Sequence, residues 1–162
     1  MIKTHKIVIS ASRRTDIPAF YMPWFMEQIR RGYFEVTNPY NQRVSCVPAT
    51  PDQVHTIVFW SKNLGPFIKK KYGEQLIKQG YHLFFNFTVN SDCIDLEPNV
   101  PPLAKRLHQL EHLCQRFCPD AINWSFDTLC FFKKVNVPLQ DNMNYFSDID
   151  TKAVECVIVS CI

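Results

Sequence analysis

Short apolar runs that end in polar clusters recur along the chain, and they set its predicted elements. Lys6-Ile7-Val8-Ile9-Ser10-Ala11 is β-branched and apolar, the signature of a buried strand. It gives way to Ser12-Arg13-Arg14-Thr15-Asp16, where Asp16 can cap a helix and Pro18 suits a first helical turn. Pro23 breaks that turn, so the main helix is expected to restart there and run to Arg31, stopped by Gly32. Phe34-Glu35-Val36-Thr37 and Arg43-Val44-Ser45-Cys46-Val47 alternate around Asn38-Pro39-Tyr40-Asn41, which predicts an antiparallel hairpin. A second buried strand, Thr56 to Trp60, ends in Ser61-Lys62-Asn63, and a helix is expected from about Pro66 to Lys78, closed by Gly80. A third strand covers Tyr81 to Thr88, and a helix follows from Pro102 to Phe117. The fourth strand, Ala121 to Phe126, runs into Asp127. Asn142 to Ala153 reads as helical, and Val157-Ile158-Val159-Ser160 as a fifth strand.

Strands alternating with helices, each strand apolar and each strand end polar, predict a parallel sheet with crossover helices. Ligands in such folds sit beyond the carboxyl ends of the strands. Here those ends carry Arg13, Arg14, Asp16, Lys62, Asn63, Asn86, Thr88, Ser125 and Asp127. A closed barrel of this kind takes eight strands and about 250 residues. The expected fold is therefore α/β: a partial, half-sized barrel of the TIM type, or an open parallel sheet, with a β-hairpin insertion. Residues 1–162 are expected to form one domain, the N-terminal part of a longer barrel. The apolar edge of the last strand suggests pairing with a second copy.

Composition narrows the function classes. The 162 residues are 46% hydrophobic and include 13 Phe, ample for a core, while 11 Pro against 4 Gly argue for punctuated elements. The net charge of +3 is mild, and Arg30-Arg31 and Lys69-Lys70-Lys71 lie near helix ends, so nucleic-acid binding is not indicated. Ile7-Val8-Ile9 is too short an apolar run for a signal-peptide core or a membrane span. Seven cysteines, an odd number, fit free thiols in a reducing cytoplasm.

Several residue groups carry candidate chemistry. Arg13-Arg14 with Asp16 suits a carboxylate or phosphate between a strand end and a helix start, unless one arginine simply pins the loop to Asp16 or Asp127. Lys62 and Asn63 can meet a ligand's phosphate and amide groups, or Lys62 is solvated with Trp60 in the core. Asp127, close to two arginines, should stay ionised and orient a ligand or pair with Arg13. His108-Gln109-Leu110-Glu111-His112 matches the H-x-x-E-H pattern of a zinc hydrolase, with His108 and His112 on one helix face. The alternative is a solvated face opposite a buried stripe of Leu103, Leu107, Leu110, Cys114 and Phe117. Cys114 and Cys118, one turn apart, read as packing residues, and Cys93 lies in a loop without an assigned role.

Ser10 to Tyr21, Asn38 to Asn41, Ile57 to Asn63 and Asp95 to Pro101, in this order and spacing, resemble the bacterial family called domain of unknown function 1848. The resemblance weakens at Trp124-Ser125-Phe126-Asp127-Thr128, where the family tends to read Trp-Arg-Phe-Asp-Pro. Full-length members are similar to radical SAM enzymes in a C-terminal Cys-x3-Cys-x2-Cys run, which implies a [4Fe–4S] cluster and S-adenosylmethionine. Here Cys114-x3-Cys118 lacks the third cysteine, and Cys156 and Cys161 are wrongly spaced. This chain is thus expected to bind no such cofactor itself. It is expected to hold a small anionic or polar molecule through Arg13, Arg14, Asp16, Lys62, Asn63 and Asp127, without radical chemistry. The alternative is a truncated, non-catalytic interaction module.

Overall fold

In the computed structural model, the described residues are 5–11, 14–127, 131–132, 138 and 140–141. Strands β1 (Ile7–Ala11), β4 (Val54–Ser61), β5 (His82–Thr88) and β6 (Ile122–Ser125) form one parallel sheet in the order β1-β4-β5-β6. Strands β2 (Tyr33–Thr37) and β3 (Val44–Pro48) form the expected antiparallel hairpin, with Tyr33 opposite Pro48 and Thr37 opposite Val44. The fold is α/β, an open parallel sheet with a hairpin inserted after the first helix. A short antiparallel pair, β7 (Phe131–Phe132) and β8 (Gln140–Asp141), stands apart. The expected helix at 142–153 and the fifth strand with its dimerising edge lie outside the described residues.

Asp16 caps as expected, its carboxylate accepting from the Ala19 N–H at 2.9 Å. It starts a wide π-type turn, Ile17–Tyr21, that runs straight into α1 (Met22–Arg31). Pro23 does not interrupt the chain, because it falls in the first turn of α1, where its missing N–H has no helical partner to lose. Gly32, at φ 84°, closes α1 by donating to Gln28 and Ile29.

The single helix expected over 66–78 is two: α2 (Gly65–Lys69) and α3 (Tyr72–Lys78), joined through Lys71 in the left-handed region at φ 54°. The break lets Phe67 and Leu76 both bury fully. It also brings Gly73 so close to Phe117 that a Cβ would lie 2.4 Å from the ring. Tertiary packing overrides the local helical pattern here. Helix α4 (Leu103–Phe117) forms where expected, but its buried stripe is turned: Arg106, Leu110 and Leu113 are the fully buried residues, while Leu107 and Cys114 are only partly buried.

The core lies on one face of the sheet. Phe25 of α1 packs on Phe59 at 5.4 Å, Phe67 of α2 on Phe59 and Phe85 at 5.0 and 5.6 Å, and Phe117 of α4 on Phe85 at 5.3 Å. The alternate residues point the other way and become polar toward the strand ends. There the Trp60 indole N–H donates to Ser10 Oγ (3.1 Å), Asn123 donates to Asn86 (2.8 Å), and Thr88 meets Ser125 (3.2 Å). Trp60 therefore belongs to this polar side and not to the helix-covered core.

Candidate functional site

The carboxyl ends of the strands gather the polar residues, but they divide into two groups. In the first, Asp16 joins the loop after β1 to the end of β4. Besides capping, its carboxylate accepts from the Ser61 hydroxyl at 2.9 and 2.8 Å and from the Lys62 N–H at 3.3 Å. Burial raises its pKa above the usual carboxylate range, opposed by the bonds from Ala19, Ser61 and Lys62. With so many acceptor positions used, Asp16 clasps two strand ends together. Arg14 turns away from this clasp and donates to the Thr37 carbonyl at 3.3 Å. It borders a cleft of about 630 Å³ between β1 and the hairpin, lined largely by apolar side chains, among them Ile17, Trp24, Phe34 and Val47.

The second group spans the ends of β4, β5 and β6. Lys62 forms an ion pair with Glu97, whose carboxylate also accepts from the Asn90 side-chain amide at 3.0 Å. Asn90 in turn donates to the Asp127 carbonyl (2.7 Å) and accepts from the Asp127 N–H (3.0 Å). Beneath them lies Arg106, 1% exposed. Its guanidinium donates to the Pro101 and Asn90 carbonyls at 2.7 and 2.5 Å and to Asp92 at 2.9 Å. Asp92 also takes the Leu103 N–H at 2.7 Å, fixing the start of α4. A charge this deep is tolerable only because its donors meet carbonyls and a carboxylate. Beside it is a cavity of about 250 Å³ that Cys93 and the buried Ser91 help to line.

Of the residues singled out from sequence, Asp16 and Lys62 are linked directly, and Lys62 reaches Asp127 through Glu97 and Asn90. Asn63 serves the backbone: its side-chain oxygen accepts from the Gly65 N–H at the start of α2 (3.1 Å) and from Gln109 (3.2 Å). Arg14 stands on the far side, and Arg13, with its expected pairing to Asp127, lies outside the described residues, as does Thr128. The residues that sequence reasoning missed are Asn90, Asp92, Glu97 and Arg106. Two signals pointed to them. Asn90-Ser91-Asp92 directly follows a strand end, and Arg106 breaks the apolar spacing Leu103, Leu110, Leu113, Phe117.

His108, Glu111 and His112 are exposed on α4, with His108 3.7 Å from Glu111, and the described residues contain no group of three His, Cys, Asp or Glu placed to hold a metal ion. The described cysteines, Cys46 on β3, Cys93 after β5, and Cys114 and Cys118 at the end of α4, lie on separate parts of the fold. They do not fit a three-thiolate cluster site; Cys130, Cys156 and Cys161 lie outside the described residues. Among the described residues, no helix is long and apolar enough to cross a membrane.

No curated protein and no solved structure matches the chain. Residues 8–162 match the family model described as domain of unknown function (DUF1848), which takes in β1, the hairpin, the Lys62–Glu97–Asn90–Asp127 group and α4. The chain belongs to that family.

Proposed function

We propose that the ends of β4, β5 and β6 bind a small anionic or polar molecule, with Lys62 supplying the cation. The observation that carries this reading is the linkage of Lys62, Glu97, Asn90 and Asp127, four residues from the loops after β4, β5 and β6, at the carboxyl edge of a parallel sheet. That edge is where open α/β sheets take their ligands. The Lys62 side chain is 37% exposed and Glu97 16%, so an incoming anion reaches the ammonium while Glu97 stays held by Asn90. An ammonium has three N–H donors, and one bond to Glu97 leaves others for a ligand. Asn86, Thr88, Asn123 and Ser125, on the polar face just below, offer hydrogen bonds to a polar body.

A radical step of the kind the resemblance implies for full-length relatives would need three thiolates around one cluster, and the described cysteines lie on separate parts of the fold. The reading is tested by following thermal unfolding in inorganic phosphate and in citrate, wild type beside Lys62→Ala. Stabilisation should grow with ligand concentration as the logarithm of one plus the ratio of ligand to Kd. It should also weaken in salt and be largely lost in Lys62→Ala. Equal shifts in both proteins, or none in either, would sink it.

A further inference from the structure

The cavity beside Arg106 is lined by residues whose acceptors the fold leaves unused. Asp92 takes Arg106 and the Leu103 N–H on Oδ1, and its Oδ2 accepts no bond among the described residues. Glu97 takes both Lys62 and Asn90 on Oε1, and its Oε2 likewise accepts none. Ser91 is 3% exposed, and its buried hydroxyl has no hydrogen-bond partner among the described residues. All three residues line the same cavity of about 250 Å³. A buried hydroxyl without a partner weakens a fold. Native proteins leave few such groups, and each calls for something that completes it.

Charge gives the missing group its sign. Arg106 against Asp92 and Glu97 leaves the cavity lining one negative charge in excess, which Lys62 balances from beside it. An anion that shares the Lys62 ammonium loosens its hold on Glu97, whose side chain is only 16% exposed. A poorly solvated carboxylate that loses its cation is costly, and a cation on the cavity side restores the balance. Among the described residues no three of His, Cys, Asp or Glu are placed to hold a metal ion. An ammonium fits better: it brings three N–H donors, one each for Asp92, Glu97 and Ser91. Because the single Glu97 carboxylate both meets Lys62 and belongs to the cavity lining, the ligand's anion and cation must lie a few bonds apart. Ile94, Pro98 and Val100 add apolar surface for a short side chain.

We propose, on the basis that Lys62 binds an anion, that the ligand is a small amino acid, its carboxylate on Lys62 and its ammonium in the cavity among Asp92, Glu97 and Ser91. The test titrates the full chain calorimetrically with three compounds of one skeleton. These are L-norvaline, its 2-hydroxy analogue, which has a hydroxyl in place of the ammonium, and butylamine, which lacks the carboxylate. Norvaline should bind at least about tenfold more tightly than either, the worth of one charge-assisted hydrogen bond. Ser91→Ala, which removes the unpartnered hydroxyl, should weaken norvaline severalfold without lowering the Tm of the free protein. Asp92→Asn, which keeps an oxygen for Arg106 and Leu103, should bring norvaline level with the 2-hydroxy analogue. Equal binding of those two compounds to the wild type overturns the ammonium site and leaves Lys62 as a plain anion binder. Butylamine binding as tightly as norvaline overturns the pairing with Lys62. If none of the three binds, the amino-acid assignment fails, and phosphate shows how far the failure reaches. A Lys62-dependent phosphate shift means that the anion site stands without it, and no such shift means that both fall together.

Discussion

The two sides of the strand-end surface handle their polar groups in opposite ways. On the β4–β6 side, Lys62, Glu97, Asn90, Asp127, Arg106 and Asp92 bond to one another and to backbone carbonyls. On the β1 side, Arg14 makes one long bond at the mouth of an apolar cleft, and the edge of β1 has no neighbouring strand among the described residues. The first arrangement holds the fold together and lets a ligand in only by sharing a group such as the Lys62 ammonium. The second contributes little to the stability of the fold. Charge alone does not mark a site; the number of bonds already made by each charged group separates the structural cations from the available ones.

The sharpest way to break this comparison is to remove the buried cation. Arg106→Met should cost about 3 kcal/mol in urea unfolding, because the Asn90 and Pro101 carbonyls lose their donor in a water-poor site. If Arg106→Met proved as stable as wild type, the division between the two sides would fail. Arg14→Ala, by contrast, should stay within about 0.5 kcal/mol of wild type, as surface substitutions away from special features do.

Next in size is Gly73→Ala, on the helix-covered face. Its added methyl meets the Phe117 ring, and a loss of about 1–3 kcal/mol is expected from overpacking. Replacing Phe117 with leucine in the same chain should recover part of that loss, which would assign the cost to this one contact. Smaller again is Glu97→Gln. It keeps an acceptor for Asn90 but cancels the ion pair with the part-exposed Lys62, so the expected change is under about 1 kcal/mol and shrinks further in salt.

The smallest effect lies at Asp16 and is read through pH. Its folded-state pKa is raised above the ordinary 3.8, chiefly by burial. The folded protein therefore holds this proton more tightly than the unfolded chain does. Its contribution to stability is full below pH 3.8 and is lost as pH rises through the higher folded value. Relative to Asp16→Asn, which does not titrate, the wild type should lose stability over that rise and run parallel to the variant at higher pH. A wild type that instead gained on the variant over the same range would mean that the bonds from Ala19, Ser61 and Lys62 outweigh the desolvation.

Much of the site was legible before any coordinates, for definite reasons. Asp16 as a cap, Gly32 as a stop, the hairpin and the four parallel strands follow from local chemistry: a carboxylate two or three residues before free N–H groups, a residue without Cβ at positive φ, and alternation with a period of two. The polar strand ends follow from the same reading, because a buried strand turns polar where it leaves the core. The break at Lys71 was not legible, since Gly73 is an ordinary helix residue until Phe117, far along the chain, arrives against it. Nor was the turn of the α4 stripe, which depends on Asn90, Asp92 and Pro101 offering Arg106 its acceptors.

The residues alone are enough for the class of fold, the edge of the sheet where polar side chains collect, and membership of a family whose motifs fall at those strand ends. Which of those side chains are engaged emerges with the folded chain: Asn63 serves a helix start, Asp16 is a clasp, Lys62 joins Glu97, and Arg14 faces a cleft. A side chain's availability is set by partners distant in sequence, and those distances close only when the strands take their order in the sheet.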